Sequence, residues 1–193
     1  MMPCNSSTLV TRLVEAHGVV LGKTRMHELA EGVTSINVYG GPVLNPYNNT
    51  MHVGGGSCRV PASVTGVIGF RPTTGCWPAA DGIVPMSTTR DTVGVNARSM
   101  ADVKLFNSIF SDCEKDYKDV SLGSLRIGYP KNFWEDLGEE TIGAFDSALE
   151  ALKGAGVQLV DMDMSLLVDL GKMNVPDQLF YIYEMPREIS RHA

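Results

Sequence analysis

Leu9, Val10, Leu13 and Val14 fall on one face at helical spacing, with Ser6 or Ser7 before them as a cap and Gly18 behind. This pattern predicts a short amphipathic helix. The apolar run Val19-Val20-Leu21 that follows predicts a short buried strand. The same device returns late in the chain. Ile142, Phe145, Leu149 and Leu152 line one face, Gly154 and Gly156 stop the pattern, and Val157 to Val160 read as a strand. Between these two copies, Ser99 and Asp102 have the spacing of a capping box opening a helix over Met100 to Phe110. Leu125 to Tyr129 reads as a further strand, closed by Pro130.

Elsewhere the periodicity gives way to turn chemistry. Gly32 to Pro61 is rich in Gly, Asn, Pro and Thr, which predicts a long irregular path. Asp112 to Ser121 is a charged connector. After Ser165 the pattern weakens. Gln178 to Arg187 resembles a helix with Leu179, Phe180 and Ile182 on its apolar face. Helices alternating with strands predict an α/β fold, a mixed sheet covered by helices.

Composition narrows the partners. At 193 residues and 44% hydrophobic, the chain has enough apolar material for one core. A net charge of −6 with no basic run argues against nucleic acid and against anionic membranes. No apolar run approaches membrane length, and the start Met1-Met2-Pro3-Cys4-Asn5 lacks the charged and apolar regions of a leader, so the cytoplasm is the expected address. Cys4, Cys58, Cys76 and Cys113 show neither paired nor metal-ligand spacing and read as scattered reduced thiols. The histidines are too dispersed for a zinc site, so neither metal nor cofactor is expected.

The densest chemical signal is Gly54-Gly55-Gly56-Ser57-Cys58-Arg59-Val60-Pro61-Ala62-Ser63. Glycines ahead of a serine let backbone N–H groups converge on one point, because no Cβ blocks the approach. Acyl transfer needs that arrangement for a nucleophile and its oxyanion hole, but Gly-rich turns also cradle phosphates or serve as plain loops. Gly22-Lys23-Thr24 does not complete a nucleotide-binding loop, since that motif's first glycine would fall on His17.

The flanks extend the signal. Val64-Thr65-Gly66-Val67-Ile68-Gly69-Phe70-Arg71-Pro72-Thr73 follows directly, then Asp81 to Ser87, Arg90-Asp91-Thr92-Val93-Gly94 and Ala97-Arg98-Ser99. Upstream stand Gly22 to Ala30 and Gly41 to Tyr47, and downstream Ser124 to Pro130. In this order, from about Leu9 to Met162, the chain resembles the amidase signature family. The resemblance implies an incomplete amidase signature core, residues 1–193 forming a single partial domain, that acts on a small-molecule amide, with Ser57 as nucleophile and Gly55 and Gly56 as oxyanion donors. In the family the helix matching Gln178 to Arg187 continues further, so its apolar face, Leu179, Phe180 and Ile182, is expected to be poorly covered. Arg71 to Gly75 and Ser87 to Thr92 look most like the members acting on aryl acetamides, such as indoleacetamide and mandelamide hydrolases.

The pattern also departs from the family. Its members carry two glycine-serine stretches, the first holding a second serine on a cis peptide bond, and a lysine further toward the N-terminus. Here His52-Val53-Gly54-Gly55 looks like the start of the first stretch and Gly55-Gly56-Ser57-Cys58-Arg59 like the end of the second, as if the chain were joined across them. The expectation is a nucleophile without its base relay, and so an impaired amidase. The alternatives are a non-catalytic binding module, an aberrant product, or a chain completed by a partner that supplies the missing lysine. Lys23 reads as structural or exposed rather than as the base, His52 as a loop histidine, and Cys58 as buried packing. Arg59, without the aspartate that pairs with it in the family, is expected to turn to solvent or carry a desolvation cost.

Overall fold

A computed structural model describes residues 6–30, 32, 34–53, 57–78, 82–112, 119–134, 136–172 and 180–192. The chain divides into two compact units, Met1–Glu114 with Ile182–Ala193, and Lys115–Tyr181.

The first unit opens with helix α1, Thr8–Glu15, whose cap Ser7 accepts the Val10 N–H. Its C-terminus is a Schellman turn in which His17 N–H donates to Val14 and Gly18 N–H to Leu13. The left-handed position is therefore His17, at φ 63°, and not the glycine after it. The strand expected at Val19–Leu21 does not form: Val19 is 79% and Leu21 96% exposed. A strand exists by its ladder, and among the described residues nothing pairs with this run. The irregular path from Gly32 to Pro61 is interrupted by a hairpin of β1, Leu44–Asn45, and β2, Asn48–His52. Its turn is stiffened by the Asn45 and Asn48 carboxamide oxygens, which accept the N–H groups of Tyr47 and Thr50.

Helix α2, Arg59–Thr65, ends on left-handed Gly66 and leads into β3, Ile68–Phe70, which pairs antiparallel with β4, Val95–Ala97. Helix α3, Met100–Phe110, starts on the capping box read from Ser99 and Asp102. The core lies between α1 and α3. Trp77, 1% exposed, packs with Leu9 and Phe110, meets the Phe110 ring edge-on at 5.2 Å, and donates its indole N–H to Asn107. Burying each of these large side chains contributes roughly 1.5–3 kcal/mol. Arg12 donates to the Phe110 carbonyl at the end of α3 and pairs with Asp112, placing a cation where the helix dipole favours it.

The second unit holds β5, Arg126–Tyr129, and β6, Gln158–Asp161, paired in parallel. Parallel neighbours need a long crossover, and α4, Glu139–Gly154, supplies it. Gly128 leaves room for the Met162 side chain, since a Cβ there would lie 2.0 Å from the Met162 sulfur. Asn132 accepts the Met164 N–H at the start of α5, Ser165–Lys172. Farther on, a π-helical turn at Phe180–Glu184 runs into α6, Met185–His192, whose residues belong to the first unit. Of the three apolar residues expected to be uncovered here, Phe180 is buried, Ile182 is 76% exposed, and Leu179 lies outside the described residues.

The α/β class is borne out. The strands, however, form three separate pairs among the described residues, two antiparallel and one parallel, rather than one continuous mixed sheet.

Candidate functional site

Ser57 stands immediately before Cys58, the residue capping α2, and is exposed. Two glycines position this corner. A Cβ on Gly69 would lie 2.3 Å from the Cys58 carbonyl oxygen, and one on Gly94 would lie 2.2 Å from the Cys58 sulfur. Only a bare backbone lets β3 and the approach to β4 close on the start of α2. Burial pushes the Cys58 thiol above its ordinary range, against the opposing pull of Arg71, Arg59 and the Gly94 N–H. A thiol held protonated is a packing group rather than a nucleophile.

Ser57 borders a cleft of about 990 Å³ within the first unit. One wall is the segment Gly22–Met26 with Leu29, Ala30 and Ser35, and the opposite wall includes Met86 and Asp91–Gly94. The lining is mostly apolar, with hydroxyls and two cationic side chains, Lys23 and Arg25, among it. Such a site suits a small molecule with an apolar body and one polar head.

Each wall is held by its own hydrogen bonds. In the first, Asn37 accepts the Glu28 N–H and donates to the Met26 carbonyl, while His27 Nδ1 accepts the Ser35 N–H at 3.1 Å. In the second, the Asp91 carboxylate accepts the N–H groups of Met86 and Ser87 at 2.7 and 3.0 Å. Ser87, itself buried, donates to Glu184, and Thr89 donates to the same carboxylate at 2.7 Å. These hydroxyls, Ser87 first, hold the Glu184 carboxyl below the usual range. Residue 184 thereby ties the start of the last helical segment to the outer side of this wall.

The residues singled out from the sequence are thus only partly assembled. Ser57 and Lys23 share the cleft, and Lys23 is exposed as expected, but no hydrogen bond to the Ser57 hydroxyl exists among the described residues. His52 ends β2 exposed and does not line the cleft. Cys58, expected to be buried packing, is half-buried and on the lining. Arg59 is turned to solvent. Gly55 and Gly56 lie outside the described residues. No sequence signal of their own marks Ser35, Asp91 or Glu184: Asp91 stands within the Arg90–Gly94 motif, Ser35 within the irregular path after Gly32, and Glu184 within the helix read over Gln178 to Arg187.

The family model described as Amidase matches residues 2–58 and again 53–175. The chain belongs to the Amidase family. The two matched stretches overlap at residues 53–58, the glycine-serine segment that ends at Cys58. The chain is 34% identical over 189 aligned residues to the indoleacetamide hydrolase of Pseudomonas savastanoi, covering 86% of the chain and 41% of that protein. It is likewise 34% identical over 196 residues to the mandelamide hydrolase of Pseudomonas putida, covering 87% of the chain and 38% of that protein. A solved structure titled as an amidase superposes with a TM-score of 0.79 at 27% identity, over 96% of this chain and 46% of the other. The chain therefore spans less than half the length of the curated relatives it matches. The alignment to the mandelamide hydrolase is longer than the whole 193-residue chain, so within the aligned span that relative carries residues absent here.

Proposed function

We propose that the cleft binds a small carboxamide of the aryl-acetamide type and that Ser57 is the inherited acyl-accepting nucleophile, working slowly in this chain. Amide hydrolysis by this route forms a bond from the Ser57 oxygen to the carbonyl carbon and breaks the carbon–nitrogen bond. Ammonia leaves, and water then releases the acid and restores the hydroxyl. The first step needs a base to take the hydroxyl proton, because an alcohol is a weak nucleophile at neutral pH. The observation that carries the reading is Ser57 in an apolar cleft with no hydrogen-bonded base among the described residues. The overlap of the two family matches at residues 53–58 supports a join across two glycine runs, which would remove the cis-serine between them.

The test is ammonia release from phenylacetamide together with labelling by a fluorophosphonate probe. Weak binding of the amide with slow or no turnover, and no rapid labelling of Ser57, is the expected result. Fast turnover abolished by Ser57→Ala would overturn the impairment. One specific observation favours a second reading: Lys23 is an amine on the same cleft. If Lys23 is the working base, Lys23→Met removes turnover while leaving amide binding intact. We further propose that both units are parts of one amidase domain, since the second family match runs from residue 53 to 175 across both.

A further inference from the structure

The cleft wall at residues 26–37 contains an anomaly in both backbone and side chain. Leu29, Ala30 and Ser35 all hold positive φ, at 55°, 58° and 53°, although none is glycine. All three line the cleft. Left-handed backbone at a non-glycine residue persists only where its surroundings impose it, and such residues gather at ligand sites. Here the imposition is visible. Asn37 bridges the backbone at 26 and 28, His27 takes the Ser35 N–H, and the His27 ring fills the space beside Gly32, where a Cβ would lie 2.3 Å from it.

Ser35 itself is 0% exposed, and its hydroxyl oxygen has no hydrogen-bond partner among the described residues. A buried hydroxyl without a partner costs about 1–3 kcal/mol. The neighbouring polar groups are already committed: the Ser35 N–H to His27, and the Asn37 carboxamide at both its ends. The free capacity is one donor and one acceptor on a single rotatable oxygen at the edge of a mainly apolar cleft.

We propose that Ser35 is a specificity-determining residue of this cleft, whose hydroxyl hydrogen-bonds the head of a bound primary carboxamide. That head offers a carbonyl acceptor and an N–H donor, matching the two capacities of a hydroxyl. Ser35 is fully buried in the free chain, so binding requires its hydroxyl to rotate toward the cleft. The inference rests on the carboxamide reading of the cleft but does not require Ser57 to turn over its ligand.

Two measurements on the whole chain test it. Ser35→Ala removes an unpartnered polar group, so the melting temperature of the free protein should stay the same or rise. Affinity for phenylacetamide should fall by about three- to tenfold, the range of one net hydrogen bond, while affinity for propylbenzene, which has no polar head, is unchanged. Ser35→Gly also relieves the left-handed backbone and should lose affinity for the amide in the same way, which keeps the test intact if the alanine variant folds poorly. A clear drop in melting temperature for both variants would mean that the hydroxyl has a structural partner and would overturn the proposal. So would unchanged phenylacetamide affinity, or an equal loss for both compounds. Failure of phenylacetamide to bind the unsubstituted protein would overturn the carboxamide reading as well, which separates the two failures.

Discussion

The helix–turn–apolar-run device occurs twice, and the two copies end differently. After α4 the chain turns through Gly156, at φ 89°, with Gly156 N–H donating to Lys153 and Val157 N–H to Leu152, and the next residues become β6. After α1 the same two-bond turn forms around His17, and the next residues form nothing. The difference is the neighbour. Residues 158–161 lie beside β5 in register, Arg126 against Gln158 through Tyr129 against Asp161, while Val19–Leu21 have no strand beside them among the described residues. The helices differ in the opposite sense. Helix α1 packs Leu9 and Leu13 on the Trp77 core, whereas α4 buries no residue fully and leaves Phe145 45% exposed against Trp134. One copy has a core without a ladder, and the other has a ladder with only a thin core.

The largest test of this contrast exchanges the aromatic anchors. Trp77→Ala should cost about 3–5 kcal/mol, read as a lower urea midpoint, because the ring is buried on all sides. Trp134→Ala should cost only about 1 kcal/mol, since its partner Phe145 is half in solvent. Equal losses would show that the second unit covers its aromatic pair as well as the first covers Trp77.

The ladder is tested next. Gly128→Val crowds the Met162 side chain and should cost about 1–3 kcal/mol, with faster amide exchange over 158–161 as the neighbouring ladder loosens. Leu21→Asp, at a position 96% exposed, should change stability by less than about 0.5 kcal/mol. A large loss from Leu21→Asp would mean that the run does find a partner.

The turns themselves offer a smaller test of opposite sign. His17→Gly relieves a left-handed side chain and should stabilise by about 0.5–1 kcal/mol, whereas Gly156→Ala introduces one and should destabilise by about 1 kcal/mol. Thermal melts of both variants check the pair.

The smallest effect concerns pH. The Glu184 carboxyl is lowered in the folded chain by the Ser87 and Thr89 hydroxyls. Its contribution is therefore complete above the unfolded glutamate value of about 4.3 and is lost as pH falls through the lower folded value. Amide protection over the last helical segment should weaken across that acidic window in the unsubstituted chain, and Glu184→Gln should remove that part of the pH dependence.

Local signals were legible where they were self-contained. The Ser99–Asp102 box predicts the start of α3, and Ser7 caps α1, because the partners lie within one helical turn of each other. The site was half legible. The glycine-serine run located Ser57, and the cleft does form around it, but its lining is drawn from segments more than thirty residues apart in sequence. Lys23 reads as an unremarkable surface lysine until the fold places it on the same cleft as Ser57. No composition or period marks Ser35, whose isolation depends on where His27 and Asn37 spend their hydrogen bonds.

By itself the amino-acid order determined α1, α3 and α4, the serine caps of α1 and α3, the α/β alternation and the family motifs, because each rests on interactions between near neighbours. Only the tertiary structure decided which apolar run became a strand, which glycines had to stay bare, and which hydroxyl was left without a partner. Those outcomes depend on groups distant in sequence arriving, or failing to arrive, within a few ångströms of one another.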